Sequence, residues 1–335
     1  MRRRATPSSD HQFRADPVVE LPNSSLPGRN GMSSSTTGAA AGSGAAALAS
    51  LIRMHQWPKN CLVWLPVLAG HRLNSAASLV TAAVAFLAFS LCASAAYVLN
   101  DVRDVESDRL HPRKRNRPIA AGRFSVPQAM TIGTVLVVCA AALSLWVSTL
   151  FTLIVGCYFA MTVAYSLRLK QQVIVDVMLL AALYTVRILA GAAAARVVPS
   201  FWLLALSMFL FLSLATVKRY SEMLITLAQE KRRAAGRGYL VEDLPVLLAL
   251  GVSTGMATIV VLALYINDPA TARLYPSTVW LWLVPPLMLY WMSRVWMKAH
   301  RGEMHDDPVL FALHDRQSLL TAALGALCFA LASTA

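Results

Sequence analysis

The chain has 335 residues and a formal net charge of +13, with 57% hydrophobic and only 14% charged residues. A soluble protein carries roughly 25% charge, so a soluble enzyme is excluded and no soluble basic module remains to carry nucleic acid. The excess of cations suits anionic lipid headgroups and phosphorylated ligands instead. The five cysteines, Cys61, Cys92, Cys139, Cys157 and Cys328, fall in apolar stretches at spacings that fit neither a metal site nor a redox pair, and they read as small core residues.

Residues 1–45 open with MRRRATPSSD and are dominated by Pro, Ser, Gly and Ala, so they cannot bury a core and are expected to form a disordered tail. No apolar run follows Arg2, Arg3 and Arg4 as it would in a signal peptide. The tail is expected to be dispensable, with Met32 as an alternative start. Residues 46–335 read as one membrane domain. Apolar runs near the length of about 20 residues that crosses a bilayer recur at 57–70, 77–99, 126–147, 149–167, 173–195, 200–217, 244–266, 277–297 and 317–334. They predict an all-α polytopic membrane protein of about nine transmembrane helices.

Orientation follows from the cations. Of 30 Lys and Arg, 26 fall in the N-terminal segment and in the alternate connections 100–123, 168–172, 217–243 and 294–316, together with 15 of the 17 carboxylates. The positive-inside bias predicts a cytoplasmic N-terminus, these connections in the cytoplasm and the C-terminus opposite, in a multi-pass protein of the cell membrane. The chemistry is expected on the cytoplasmic side.

The stretch NDVRDVESDRLHPRKRNRPIAAG, 100–122, ends an apolar run with three aspartates, although a helix C-terminus repels negative charge. Asp101, Asp104 and Asp108 stand at i, i+3 and i+7, so a continuing helix presents them on one face, with Asn100 at the membrane boundary. Three crowded carboxylates need a cation among them, and hard oxygen ligands suit Mg²⁺ shared with substrate phosphates. The competing reading is a solvated acidic loop. His111, Arg113, Lys114, Arg115 and Arg117 follow directly, and carboxylates beside cations describe a diphosphate site better, with Lys114 and Arg117 as the favoured phosphate ligands. Positive-inside topology alone accounts for part of that cation row.

Asp176 and Arg187 lie eleven residues apart, three helical turns, which puts them on one face with Arg187 about 16 Å deeper. An unpaired Arg at that depth costs several kcal/mol or snorkels, so it is expected to face a cavity and meet a phosphate on an acceptor, or to sit in a structural ion pair. Lys218, Arg219 and Glu222 end the sixth run, where the helix dipole favours cations regardless of function. The tryptophans mostly mark membrane interfaces.

These residues resemble a family. NDVRDVESD matches the N-D-x-x-D-x-x-x-D motif of the UbiA superfamily, and HQWPKN (55–60), HPRKRNRPIAAG (111–122), YSLRLK (165–170), KRYSE (218–222) and RGEMHDDPVLFALHD (301–315) are similar to its branch of decaprenyl-phosphate phosphoribosyltransferases. The resemblance covers about 50–335. It implies a ring of helices around a central cavity, Mg²⁺ on Asp101, Asp104 and Asp108, and transfer of 5-phosphoribose from phosphoribosyl pyrophosphate to a polyprenyl phosphate such as decaprenyl phosphate, giving a precursor of lipid-linked arabinose. It implies donor contacts for Lys59 and Asn60, which otherwise read as an interfacial anchor beside Trp57, and phosphate-binding roles for Lys218 and Arg219. Tyr165, Lys170 and Asp176 look like the family's second polar cluster, but the second D-x-x-x-D of many aryl prenyltransferases is reduced to Asp176, which favours a different donor. Arg301, Asp306, Asp307 and Asp315 are expected to close over the donor or to be solvated. The rival enzyme reading is a prenyltransferase that moves a polyprenyl group from its diphosphate to an aromatic acceptor such as 4-hydroxybenzoate. A transporter or flippase is disfavoured because no internal repeat is visible. Membrane lipids are the expected surroundings and nucleic acid is not an expected partner; helix packing is compatible with a homo-oligomer.

Overall fold

The computed structural model describes residues 40–69, 75–110, 114–234, 236–304 and 307–334. The expected tail lies almost wholly outside the described residues, and helix begins at Ala40, inside its last residues. The chain runs as α1 (Ala40–Leu51), a 3-10 stretch Met54–Trp64 leading into α2 (Leu65–Ala69), α3 (Ala76–Arg103), α4 (Val105–Leu110), α5 (Val126–Val147), α6 (Thr149–Leu167), α7 (Val175–Ala195), α8 (Phe201–Ala228), α9 (Leu244–Ile266) and α10 (Pro269–Leu274). A second 3-10 stretch, Thr278–Leu283, leads into α11 (Val284–His300), followed by α12 (Pro308–His314) and α13 (Arg316–Thr334). Among the described residues the only β feature is an isolated bridge between Arg233 and Leu240.

Local signals set the boundaries. Ser125 and Gln128 form a reciprocal capping box at the start of α5, satisfying two donors that the first turn leaves unpaired. Ser148 ends α5 and caps α6, its hydroxyl accepting from the Phe151 N–H at 3.1 Å. Among the described residues, seven helices are long and apolar enough to cross a membrane: α3, α5, α6, α7, α8, α9 and α13. The expected runs 57–70 and 277–297 are not single long helices. Each is a 3-10 stretch continued by an α-helix, with Pro58 inside the first and prolines opening α11 in the second, because proline removes an i→i−4 donor and its ring crowds the preceding turn. The helix predicted to stop at 217 continues as α8 to Ala228, since the charged residues past 217 find buried partners.

The elements close into a ring: the first 3-10 stretch against α3, then α3, α5, α6, α7, α8, α9, α11 and α13 by successive contacts, with α12 returning to the first 3-10 stretch. Lipid offers no hydrophobic drive between helices, so close packing of small residues takes its place. The buried positions of α3 include Ala82, Ala85, Ala88, Ala93, Ala95 and Ala96, and those of α7 include Ala190, Gly191, Ala192 and Ala194. Helix α7 is shared by both halves of the core. Tyr184 and Ile188 pack with Phe211, Met223 and Trp296, while Leu183 and Ala190 pack with Phe89, Phe151 and Tyr158. Val135, Val138, Leu145, Leu150 and Leu153 are exposed on the outside of α5 and α6, as a lipid-facing surface requires.

Two expectations follow. A Cβ on Gly191 would lie 2.1 Å from the Val63 carbonyl oxygen, a backbone atom that cannot move aside alone. Gly191→Ala is expected to destabilise by about 1–3 kcal/mol, read as a lower melting temperature in detergent, whereas Gly325→Ala, with nothing within 4 Å of the new Cβ, serves as the unaffected control. Between α11 and α13, Arg294 holds Asp315 bidentately at 2.6 and 2.9 Å, and Ser318 adds two bonds. The Arg294 hydrogen bonds lead in holding the Asp315 carboxyl at about 2. A depressed carboxylate contributes stability above its unfolded pKa of about 3.9 that disappears as pH falls towards the folded value. The wild-type melting temperature should therefore drop over that window, and Asp315→Asn, already lower at neutral pH, should lack this component.

Candidate anion-binding site

A cavity of about 240 Å³ lies inside the ring. Among the described residues its wall carries eight cationic side chains, Arg53, Lys59, Lys114, Arg117, Lys170, Arg187, Lys218 and Arg237, against two carboxylates, Asp104 and Asp307, with Leu180, Leu183 and Leu214 between them. Carboxylates just behind the wall, Asp101, Asp108, Asp176 and Glu222, offset part of this charge, and the cations left in excess against apolar walls favour an anionic ligand.

At the mouth, the helix carrying the aspartates is interrupted for a single residue. Asp104 caps α3 at φ −91°, ψ 9°, its N–H bonded to the Asn100 carbonyl at 3.0 Å, and α4 starts one residue later. The helical bond from the Asp108 N–H to the Asp104 carbonyl at 2.8 Å spans this turn, and Asp101 and Asp108 meet on one side at a single Arg117 nitrogen, as their helical spacing leads one to expect. Asp101 and Asp108 share the wall residue Arg117, at 3.0 and 2.6 Å, and Asp101 also accepts from the wall residue Arg53 at 2.6 Å. Arg53 reaches it from a left-handed backbone (φ 52°, ψ 48°) and stacks 4.7 Å over the Tyr97 ring. Asp104 faces the cavity with Asn100, 3.4 Å from the Lys170 ammonium. Burial, and next the Arg117 charge, push the Lys114 pKa below its ordinary value. His111 and Arg113 lie outside the described residues.

The floor is built around Arg187, which is buried. Its Nε donates to Asn60 Oδ1 at 2.9 Å, Nη2 to the Tyr158 hydroxyl at 3.0 Å and Nη1 to the Leu183 carbonyl. The rings of Phe89, Tyr158 and Tyr184 surround the guanidinium at 5.0–5.4 Å, where cation–π attraction stabilises it. Asn60 is held in turn by Ser90 at 3.0 Å. Among the described residues no carboxylate forms an ion pair with Arg187.

Between floor and mouth, Asp307 caps α12 through the Val309 N–H and accepts from Lys59 (2.9 Å) and Lys218 (3.1 Å) on one oxygen and from the Tyr184 hydroxyl (3.0 Å) on the other. Burial pushes its pKa up, but the Lys218 and Lys59 ammoniums more than reverse this, and the carboxyl stays far below the ordinary carboxylate range.

Behind the wall lies a second network. The Asp176 carboxylate and the Arg219 guanidinium are both fully buried and pair at 2.6 and 3.0 Å. Asp176 also accepts from Tyr165 at 2.8 Å and from Arg237 at 3.3 Å, and Arg219 pairs with Glu222. The chain enters α7 through Ile174 at φ 66°, an unfavourable conformation for a β-branched residue, and its N–H donates to the Tyr239 hydroxyl at 2.9 Å. Gly238 permits the loop to lie against 169–171, since a Cβ there would sit 2.2 Å from the Gln171 carbonyl oxygen.

The cavity wall thus brings together Lys59, Asn100, Asp104, Lys114, Arg117, Tyr165, Lys170, Arg187 and Lys218 of the sequence candidates. Asn60, Asp101, Asp108, Asp176, Arg219 and Glu222 stand one layer behind, each bonded to a wall residue or its support. Sequence reasoning missed Arg53, Tyr97, Tyr158, Tyr184 and Arg237. For Arg237 a signal existed in its place between two glycines, Gly236 and Gly238, next to the aromatic Tyr239.

Fold and cavity together define a polytopic α-helical membrane protein with a cation-lined chamber inside a ring of helices. A sequence profile of the UbiA prenyltransferase family matches residues 61–319, and the chain belongs to that family. The uncharacterized protein y4nM of Sinorhizobium fredii is 38% identical over 284 residues, 84% of this chain and 55% of that protein; the chain spans about half the length of this relative. Nodulation protein NoeC of Azorhizobium caulinodans is 35% identical over 80% of this chain and 87% of its own. Decaprenyl-phosphate phosphoribosyltransferase of Mycobacterium tuberculosis is 40% identical over 182 residues, 53% of this chain and 60% of that enzyme. Among solved structures, a UbiA homolog from Archaeoglobus fulgidus bound to GPP and Mg²⁺ shares the fold, with a TM-score of 0.64 at 16% identity over 85% of this chain and 99% of that one.

The second network carries its own test. Asp176→Asn leaves Arg219 buried with only Glu222 as a charge partner, and breaking such a pair costs about 3–5 kcal/mol. A large drop in melting temperature is expected, partly recovered in the double variant Asp176→Asn, Arg219→Gln. Full stability with activity alone lost would instead make Asp176 a residue that meets substrate.

Proposed function

We propose that this chain transfers 5-phosphoribose from phosphoribosyl pyrophosphate to a polyprenyl phosphate, with release of pyrophosphate, at the cytoplasmic face of the cell membrane. The observation that carries the reading is the cavity's excess of cations inside apolar helices: both substrates are phosphorylated, and one has a long hydrocarbon tail. The 40% identity to decaprenyl-phosphate phosphoribosyltransferase over half the chain supports the same choice. The N-terminus and the cation-rich connections face the cytoplasm in this reading, where the polar donor is available.

The donor's pyrophosphate sits at the mouth, among Lys114, Arg117 and Lys170. The donor set there fits Mg²⁺ in a restricted way. Among the described residues there is no group of three metal-ligating side chains, but Asn100 and Asp104 offer hard oxygens on the wall, and Mg²⁺ completes its shell from phosphates and water. Bound there, the ion would neutralise charge on the departing pyrophosphate. Asp101 and Asp108 keep Arg117 aimed at the mouth, and the Asp176 network does the same for Arg237 and Tyr165. The phosphate oxygen of the lipid attacks ribose C1, the C1–oxygen bond breaks, and the electron pair leaves on pyrophosphate. That nucleophile is already an anion, so the chain's task is positioning and charge stabilisation, with no proton to remove. Arg187 is the deep partner of the acceptor.

The test is a donor comparison on purified protein in detergent with Mg²⁺. Radiolabelled phosphoribosyl pyrophosphate with decaprenyl phosphate should give a labelled lipid whose formation EDTA stops. Asp104→Asn should lower its rate by about 10²–10³-fold without changing the melting temperature. Product only from a polyprenyl diphosphate with 4-hydroxybenzoate would reject the phosphoribosyl reading and leave the family assignment intact.

A further inference from the structure

The deep half of the cavity has a charge count of its own. Lys59 and Lys218 converge on one oxygen of Asp307. Tyr184 joins them to Arg187, its hydroxyl on the other Asp307 oxygen and its ring 5.2 Å from the guanidinium. Asn60, next to Lys59 in the chain, bonds Arg187 directly. Among the described residues three cations thus face one carboxylate, which leaves two positive charges between apolar walls that include Leu183 and Leu214. The mouth residues Asp104 and Lys170 pair with each other and take no part in this count.

We infer that Lys59 and Lys218, joined by Asp307, and Arg187, linked to them through Tyr184 and Asn60, form a subsite for a phosphate monoester dianion, and that this subsite selects a lipid phosphate as the acceptor. The inference rests on the phosphoribosyl reading and extends it to acceptor choice. A phosphate monoester carries between −1.5 and −2 charge near neutral pH, which matches the uncompensated charge of the subsite. A carboxylate acceptor supplies one negative charge, and an alcohol none, leaving a buried cation without compensation, which is costly. Asp307 is the specificity-determining group: it holds the two ammoniums at one oxygen and limits the charge to what a single dianion neutralises. The donor's 5-phosphate has the same chemistry. The apolar and aromatic wall around Arg187 favours the ester that carries a hydrocarbon chain.

The experiment measures binding by the full chain in detergent, without catalysis. The probes are geranyl phosphate, ribose 5-phosphate, geraniol and, with Mg²⁺, phosphoribosyl pyrophosphate. The variants are Lys59→Met, Lys218→Met, Lys218→Arg and Lys170→Met, each checked by its melting temperature. Wild type should bind geranyl phosphate without donor, at least tenfold more tightly than geraniol or ribose 5-phosphate, and more tightly as pH rises through the phosphate's second ionisation near 6. Lys59→Met and Lys218→Met should each weaken geranyl phosphate at least tenfold and flatten that pH dependence, while phosphoribosyl pyrophosphate changes less than twofold. Lys218→Arg should restore lipid-phosphate binding, and Lys170→Met should show the reverse pattern. Loss of phosphoribosyl pyrophosphate rather than geranyl phosphate in the two lysine variants, or preferential capture of ribose 5-phosphate, overturns the subsite while sparing the phosphoribosyl reading. Absence of geranyl phosphate binding in wild type that turns over a polyprenyl diphosphate overturns the reading itself.

Discussion

The fully buried pair between Asp176 and Arg219 is the interaction on which the rest of the site depends. Two isolated charges at that position would each face a desolvation penalty of several kcal/mol; joined and bonded on both oxygens they are tolerated. The pair ties the first turn of α7 to the middle of α8. It also presents a carboxylate oxygen to Arg237 and Tyr165, so the loop before α9 is drawn over the same end of the ring. Without it, the cations of α8 and of that loop would have no reason to converge.

The cavity has two unlike halves. At its mouth the ionic groups are drawn from a broken helix and from loops, with Asn100 and Asp104 offering oxygen to the interior. At its floor a guanidinium is satisfied by neutral partners, an amide, a phenol and a backbone carbonyl, and keeps its full charge. Neutral satisfaction of a cation differs from neutralisation. Each nitrogen of Arg187 donates to a neutral partner, while its field still reaches into the chamber. That distinction lets a deep positive charge persist in a protein surrounded by hydrocarbon.

Much of this was legible in the amino-acid order. The runs 126–147, 149–167 and 244–266 match α5, α6 and α9 because apolar length alone governs a lipid-crossing helix. The ends of α3 and α8 were less legible. Hydropathy drops at Asn100 and at Lys218, yet helix persists because the charged residues beyond are matched by Arg53, Arg117, Arg237 and Asp307, which are remote in sequence. Pairing of that kind has no local signature. The spacing of the three aspartates was legible as helical, but their partners, Arg117 for Asp101 and Asp108 and Lys170 for Asp104, were not. Arg187 was legible, since an Arg within an apolar run demands an explanation, but its aromatic cage was not.

The bond between Asp307 and the two lysines has a bearing on how the molecule is made. In chain order Lys59 comes before Lys218, and Asp307 emerges only after α11 has followed them. Until then neither ammonium has its permanent counter-ion, and both must wait at the hydrated edge of the bilayer. Arrival of Asp307 lets Lys59 and Lys218 move inward together as α12 is capped. The contact of α12 with the first 3-10 stretch therefore depends on a carboxylate that lies far along the chain from both lysines it holds.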